Sequence, residues 1–154
     1  MATSCCFTGH RYIPYVQRSA LQKRLATELR ALIVAGVTAF YAGGALGFDT
    51  LAAQTVLSLR REYPHIKLIL ILPCPEQTRN WRDGDVYRYQ RIKAGADDIC
   101  YVADHYTPSC MYERNRRLVE QSEICLCYLT RTSGGTAYTV RYARQLGRRV
   151  IHLG

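Results

Sequence analysis

Two glycine-rich stretches hold the residues best suited to chemistry. In "YAGGALGFDTLAAQ", Tyr41 to Gln54, the glycines Gly43, Gly44 and Gly47 lie between a short apolar run and an amphipathic stretch. Glycine lets backbone N–H groups approach an anion closely and adopt positive φ. A helix opening at Phe48 would add unpaired donors and a partial positive charge. Phe48 and Asp49 therefore count with the loop as ligand-binding candidates. Asp49 either complements the helix dipole or accepts from a ribose hydroxyl. The stretch is not the G-x-G-x-x-G dinucleotide fingerprint. "TSGGTAYT", Thr132 to Thr139, repeats the logic, with Ser133, Gly134, Gly135 and Thr136 running into a further helical pattern. A Ser or Thr there is also an ordinary N-cap. Together the loops suggest two anion cradles, enough for a diphosphate or for a phosphate and a carboxylate.

Three further segments carry polar chemistry. In "FTGHR", Thr8, Gly9, His10 and Arg11 are placed to frame a base or a phosphate, although a lone His is more often structural. In "MYERNRRLVEQS", Met111, Asn115, Leu118 and Ser122 share one helical face, so Asn115 is expected toward the sheet. Glu113 and Arg114 fall in the first turn of that helix, where an arginine can clamp a phosphate bidentately. Arg116 and Arg117 are expected in solvent. Glu113, Asp49 and Arg114 are the candidates for catalysis. "PCPEQTRNWRDGDVYRYQRI" is long, polar and aromatic, and residues 74–85 have the length of a lid. Trp81, the single tryptophan, is suited to stacking on a base or to packing on the next helix.

The elements that position these residues follow from periodicity. Apolar runs at Ser4–Thr8, Thr38–Ala42, Lys67–Pro73, Ile99–Ala103, Ile124–Leu129 and Val150–Leu153 read as parallel strands covered on both faces. Helical spacing fills residues 15–35, 48–63, 85–95, 111–122 and 136–146. The alternation predicts an α/β fold: one Rossmann-like domain over 1–154, with a mainly parallel sheet of about six strands flanked by helices on both faces. Ligands of such sheets bind beyond the carboxyl ends of the strands, which is where all five segments fall.

Bulk properties narrow the function. A chain of 154 residues buries ~70% of its unfolded surface as one domain. No apolar run is long enough for a bilayer, and "MATSCCF" lacks a signal-peptide pattern, so a cytoplasmic protein is expected. The seven cysteines include no C-x-x-C pair, so no metal site is expected, and most of them read as small reduced core residues. No cofactor is implied. The formal charge of +9, carried mostly by arginine, favours an anionic partner: a nucleotide, a nucleic acid or a phosphorylated metabolite. Arg141, Arg144 and Arg148 form a basic stripe toward the end of the last helix. A homo-oligomer is compatible with the sequence, although nothing in it specifies one.

These motifs in this order resemble the YpsA family of the SLOG superfamily, whose relatives include the Smf/DprA proteins and the LOG phosphoribohydrolases. "FTGHR", "GGALGFDTLAA", "LPCPEQ" with Trp81, "CMYERNRRLVEQS" and "SGGTAYTVRYA" carry the resemblance across nearly the whole chain. It implies a Rossmann-like sheet and binding of nucleotides or nucleotide-derived ligands such as ADP-ribose derivatives. LOG enzymes carry G-G-x-G-T-x-x-E, and aligning Gly135–Thr136 on that pattern puts Thr139 where the glutamate stands. Arg114 matches the family's arginine. A threonine cannot supply the missing carboxylate, so sensing or sequestering a ligand is the leading expectation. N-glycosidic hydrolysis through Glu113 or Asp49 is the alternative. Single-stranded DNA binding, as in Smf/DprA relatives, is the second alternative.

Overall fold

The computed structural model describes residues 2–154. Strands and helices alternate throughout: β1 (Ser4–Gly9), α1 (Tyr15–Val34), β2 (Ala39–Ala42), α2 (Phe48–Leu59), β3 (Lys67–Leu72), α3 (Asp83–Gly95), β4 (Asp98–Tyr101), α4 (Cys110–Glu120), β5 (Ile124–Tyr128), α5 (Gly135–Gln145) and β6 (Arg149–His152). The six strands form one sheet in the order β4-β3-β2-β1-β5-β6, and every pairing is parallel. This is a Rossmann-like α/β fold. The chain winds outward from β1 to β4, then returns to place β5 on the other side of β1. Parallel crossovers are strongly right-handed, so reversing direction moves the helices to the opposite face. Accordingly, α1, α2 and α3 pack on one face, and α4 and α5 on the other.

The core explains the pattern. β1 and β5 are interior strands buried almost throughout, whereas the edge strands β4 and β6 begin with exposed Asp98 and Arg149. The larger core layer holds Phe7, Phe40 and Phe48 together with Leu21, Leu25, Leu29, Leu32 and Ile33 of α1. Phe7 stacks on Phe40 at 6.0 Å and meets Phe48 edge-on at 6.4 Å. The smaller layer uses small side chains, with Cys6 opposite Cys125 in the sheet beneath Leu118, Val119 and Ala143. Free cysteine acts there as a compact hydrophobe. Cys110 opens α4 and is fully buried. α3 begins at Asp83, two residues before the expected start, because Asp83 and Asp85 both favour a helix N-terminus. α2 ends at Leu59 and continues only as turns.

The reversal between β1 and β5 leaves a crevice at their carboxyl ends, since the connections leaving the two neighbours diverge to opposite faces.

Candidate functional site

A cavity of about 470 Å³ occupies that crevice. The end of β1 contributes Thr8, Gly9, His10 and Arg11. The β2–α2 connection contributes Ala45 and Asp49, and α4 contributes Met111, Tyr112, Arg114 and Asn115. Arg131, Ser133, Gly135 and Thr136 close the far side from the β5–α5 loop. Gly43, Gly44, Gly47, Phe48, Trp81, Glu113 and Gly134 do not line it.

The two glycine loops, alike in sequence, do different things. The first is shaped by protein atoms. A Cβ on Gly43 would meet the Arg114 side chain at 2.8 Å, and one on Gly44 would meet Leu72 at 2.5 Å. A Cβ on Gly47 would lie 2.2 Å from the Arg11 carbonyl oxygen. Gly44 and Gly47 also hold φ values of 74° and 76°. Protein atoms therefore occupy the side-chain direction of all three glycines. Gly47 lets the β2–α2 turn lie against the β1–α1 connection, where the Phe48 N–H donates to the His10 carbonyl at 3.1 Å. Phe48 then enters the core beneath Tyr128. Gly9 serves the same packing, since a Cβ there would strike the Phe48 ring at 2.4 Å.

The second loop faces open space. A Cβ on Gly134 would meet nothing within 4 Å, and one on Gly135 would touch only the Asn115 amide nitrogen at 3.8 Å. Gly134 caps α5 with φ 98° and has no side-chain capping bond. The first N–H groups of α5 therefore have no side-chain partner, and Ser133 and buried Thr136 flank them on the cavity wall.

Arg114 and Asp49 form the buried electrostatic centre. Arg114 is 4% exposed; it donates from Nη1 to the Gly43 carbonyl and from Nε to Asn115 Oδ1 at 2.7 Å. Instead of lying free beside the crevice, the guanidinium ties α4 to the first glycine loop. Burial lowers its pKa, and neighbouring Asp49 opposes that shift. Asp49 is 5% exposed and accepts from the Ala45 N–H at 3.2 Å. Burial raises its pKa from 3.8 to about 6, against the pull of Arg114. Glu113 is exposed and accepts from Ser109 Oγ at 3.0 Å, so Asp49 is the carboxylate that the crevice encloses. Asn115 is turned to the cavity wall, as its helical face implied, but it shares the inward side of α4 with Arg114.

His10 is buried on the wall, and its Nε2 accepts from the Thr130 N–H at 2.9 Å. That bond requires the neutral ring. Burial and nearby Arg131 lower the His10 pKa in the same sense. His10 thus fixes the start of the β5–α5 connection. Thr139 is buried in α5, where its hydroxyl donates to the Gly135 carbonyl at 2.8 Å. Trp81 meets Tyr89 edge-on at 5.5 Å, and Gln77 donates to the Gly43 carbonyl at 3.2 Å. These contacts pin the segment read as a lid. Two arginines of the basic stripe also have partners: Arg144 pairs with His152, and Arg148, beyond the end of α5, donates to the carbonyls of Val119 and Glu120. Residue-level reading missed Arg131, Tyr12 and Tyr112, although the position of Arg131 just past β5 was the available signal.

The family model for YpsA, described as the YspA SLOG family, matches residues 15–150. The chain belongs to this family. It is 28% identical over 128 residues to a UPF0398 protein of Lysinibacillus sphaericus, a match covering 81% of this chain and 72% of that protein. Two solved structures share the fold. DNA processing protein A from Helicobacter pylori, described for its single-stranded DNA binding mode, aligns with a TM-score of 0.71 at 19% identity, over 97% of this chain and 64% of its own. DNA processing protein A from Streptococcus pneumoniae aligns with a TM-score of 0.72 at 16% identity, over 97% and 50%. This chain therefore spans about two thirds and one half of those two structures. No helix among the described residues is long and apolar enough to cross a membrane.

Proposed function

We propose that the SLOG domain of this chain binds a nucleotide or nucleotide-derived ligand, such as an ADP-ribose derivative, in the crevice between β1 and β5. The observation that carries this reading is the β5–α5 loop. Gly135 lines the cavity with only the Asn115 amide nitrogen near its Cβ position, and the α5 N-terminus has no side-chain cap. Unpaired N–H groups at a helix N-terminus, with Ser and Thr hydroxyls beside them, favour an anionic oxygen. Arg11 and Arg131, both exposed on the cavity wall, add charge at the entrance. A phosphate would sit at Ser133–Thr136, with Asp49 available to a sugar hydroxyl. Calorimetric titration with ADP-ribose tests this: we expect saturable binding that Arg131→Ala weakens about tenfold. Absence of binding to ADP-ribose, ADP and AMP alike would refute it.

Turnover is the second reading, favoured by one observation. Asp49 is an enclosed carboxyl whose pKa near 6 would let it exchange a proton with a leaving group. Against it, the segment that carries the LOG glutamate has buried Thr139, whose hydroxyl is committed within α5. Binding without cleavage is therefore the primary reading. Free base accumulating from nucleoside monophosphates in the wild type but not in Asp49→Asn would reverse the order.

A further inference from the structure

A second cavity of about 450 Å³ adjoins the first and shares Arg11 and Met111 with it. Its remaining wall has a different character. Trp81 and Tyr106 present aromatic rings, Arg79 and Asn80 add polar groups, and Glu76 supplies a carboxylate whose Oε1 is held by His105 Nδ1 at 3.1 Å. Trp81 is held edge-on against buried Tyr89, so its indole is already oriented, whereas Tyr106 is 61% exposed and stands at the rim. Buried Gln77 lines the same cavity, with its Nε2 committed to the Gly43 carbonyl and its Oε1 without a hydrogen-bond partner. Aromatic walls with a carboxylate suit a planar ring bearing an exocyclic amine, since such rings stack and donate.

From these observations, and resting on the binding reading above, we propose that the Trp81–Tyr106 cavity is a base subsite that takes an amino-substituted nucleobase. The phosphates of the same ligand would run past Arg11 into the β1–β5 crevice. The ligand class is then a nucleoside diphosphate or its ester, since a molecule filling both cavities needs a base at one end and negative charge at the other. Each cavity lies in the ~300–1,000 Å³ range of small-ligand sites.

ADP and inorganic pyrophosphate separate the two cavities. Trp81 is the single tryptophan, so its fluorescence reports on the second cavity directly. We expect ADP to bind about tenfold tighter than pyrophosphate and to quench Trp81, while pyrophosphate binds without quenching. Tyr106→Ala, a change at an exposed side chain, should remove most of the ADP advantage and leave pyrophosphate affinity unchanged. Equal affinity for the two probes without quenching would overturn the base subsite while leaving the crevice reading standing. An ADP advantage that survives Tyr106→Ala would also overturn it. Failure of both probes to bind would overturn this proposal, and failure of ADP-ribose and AMP as well would remove the crevice reading beneath it.

Discussion

Asp49 shows how one side chain links stability to pH. In the unfolded chain its carboxyl ionises near 3.8, and in the fold near 6. Between those values the folded state holds a proton that the unfolded state has lost, so this group's contribution to stability falls as pH rises from about 4 to 6. At 1.36 kcal/mol per unit the full swing is about 3 kcal/mol. Asp49→Asn keeps an acceptor for the Ala45 N–H without the cost of a buried charge, so it should raise stability at neutral pH relative to the wild type. It should also flatten the pH 4–6 slope relative to the wild type. Urea unfolding at several pH values measures both, and an unchanged slope would contradict the burial argument. At Gly44, a valine must adopt positive φ and displace Leu72, so Gly44→Val should cost several kcal/mol and lower Tm sharply rather than act on ligand alone. Composition marked Gly43, Gly44 and Gly47 as special but not the reason. A glycine required by a phosphate and one required by a neighbouring carbonyl look the same in sequence, and only the packing of Arg11, Leu72 and Arg114 distinguishes them.

At the scale of elements, the strand and helix order was legible because β1 and β5 are buried almost throughout and α1 buries Leu21, Leu25, Leu29 and Leu32 at helical spacing. What periodicity did not show was which polar residues of α4 turn inward. Arg114 is buried because Gly43, lacking a side chain, leaves room for its guanidinium, and Glu113 one residue earlier faces solvent. The N-terminus of α5 gives the element-level prediction. Gly135 lies at the first helical position, where an added Cβ would make only an ordinary contact with the Asn115 amide nitrogen at 3.8 Å, so alanine should be tolerated by the fold. The added methyl nevertheless enters the cavity where we place a phosphate. Gly135→Ala should change Tm by no more than a few degrees while weakening ADP-ribose about tenfold. Thermal melts and calorimetry on the same preparation check this, and equal ligand affinity would move the phosphate elsewhere.

For the whole molecule, a formal charge of +9 attracts any polyanion. That charge alone makes single-stranded DNA a reasonable probe. In the arginine stripe near the end of α5, Arg144 is engaged with His152 and Arg148 with the carbonyls of Val119 and Glu120, while Arg141 is exposed, so binding there would be phosphate attraction only. We expect oligonucleotide affinity to be weak and to fall steeply between ~50 and ~200 mM salt; tight binding that persists at high salt would promote the DNA reading. The topology-based expectation of a site beyond the strand ends needed no motif and led to the same crevice, whereas the second basic groove, lined by Arg61, Arg88 and Arg91 between α2 and α3, had no signal in the order of strands. The two surfaces can be separated in one experiment. When ADP is titrated into isotope-labelled protein, the backbone amide resonances of Thr8–Arg11 and Ser133–Ala137 should shift together and saturate. Shifts confined to the α2–α3 groove, or none at all, would contradict ligand binding in the β1–β5 crevice.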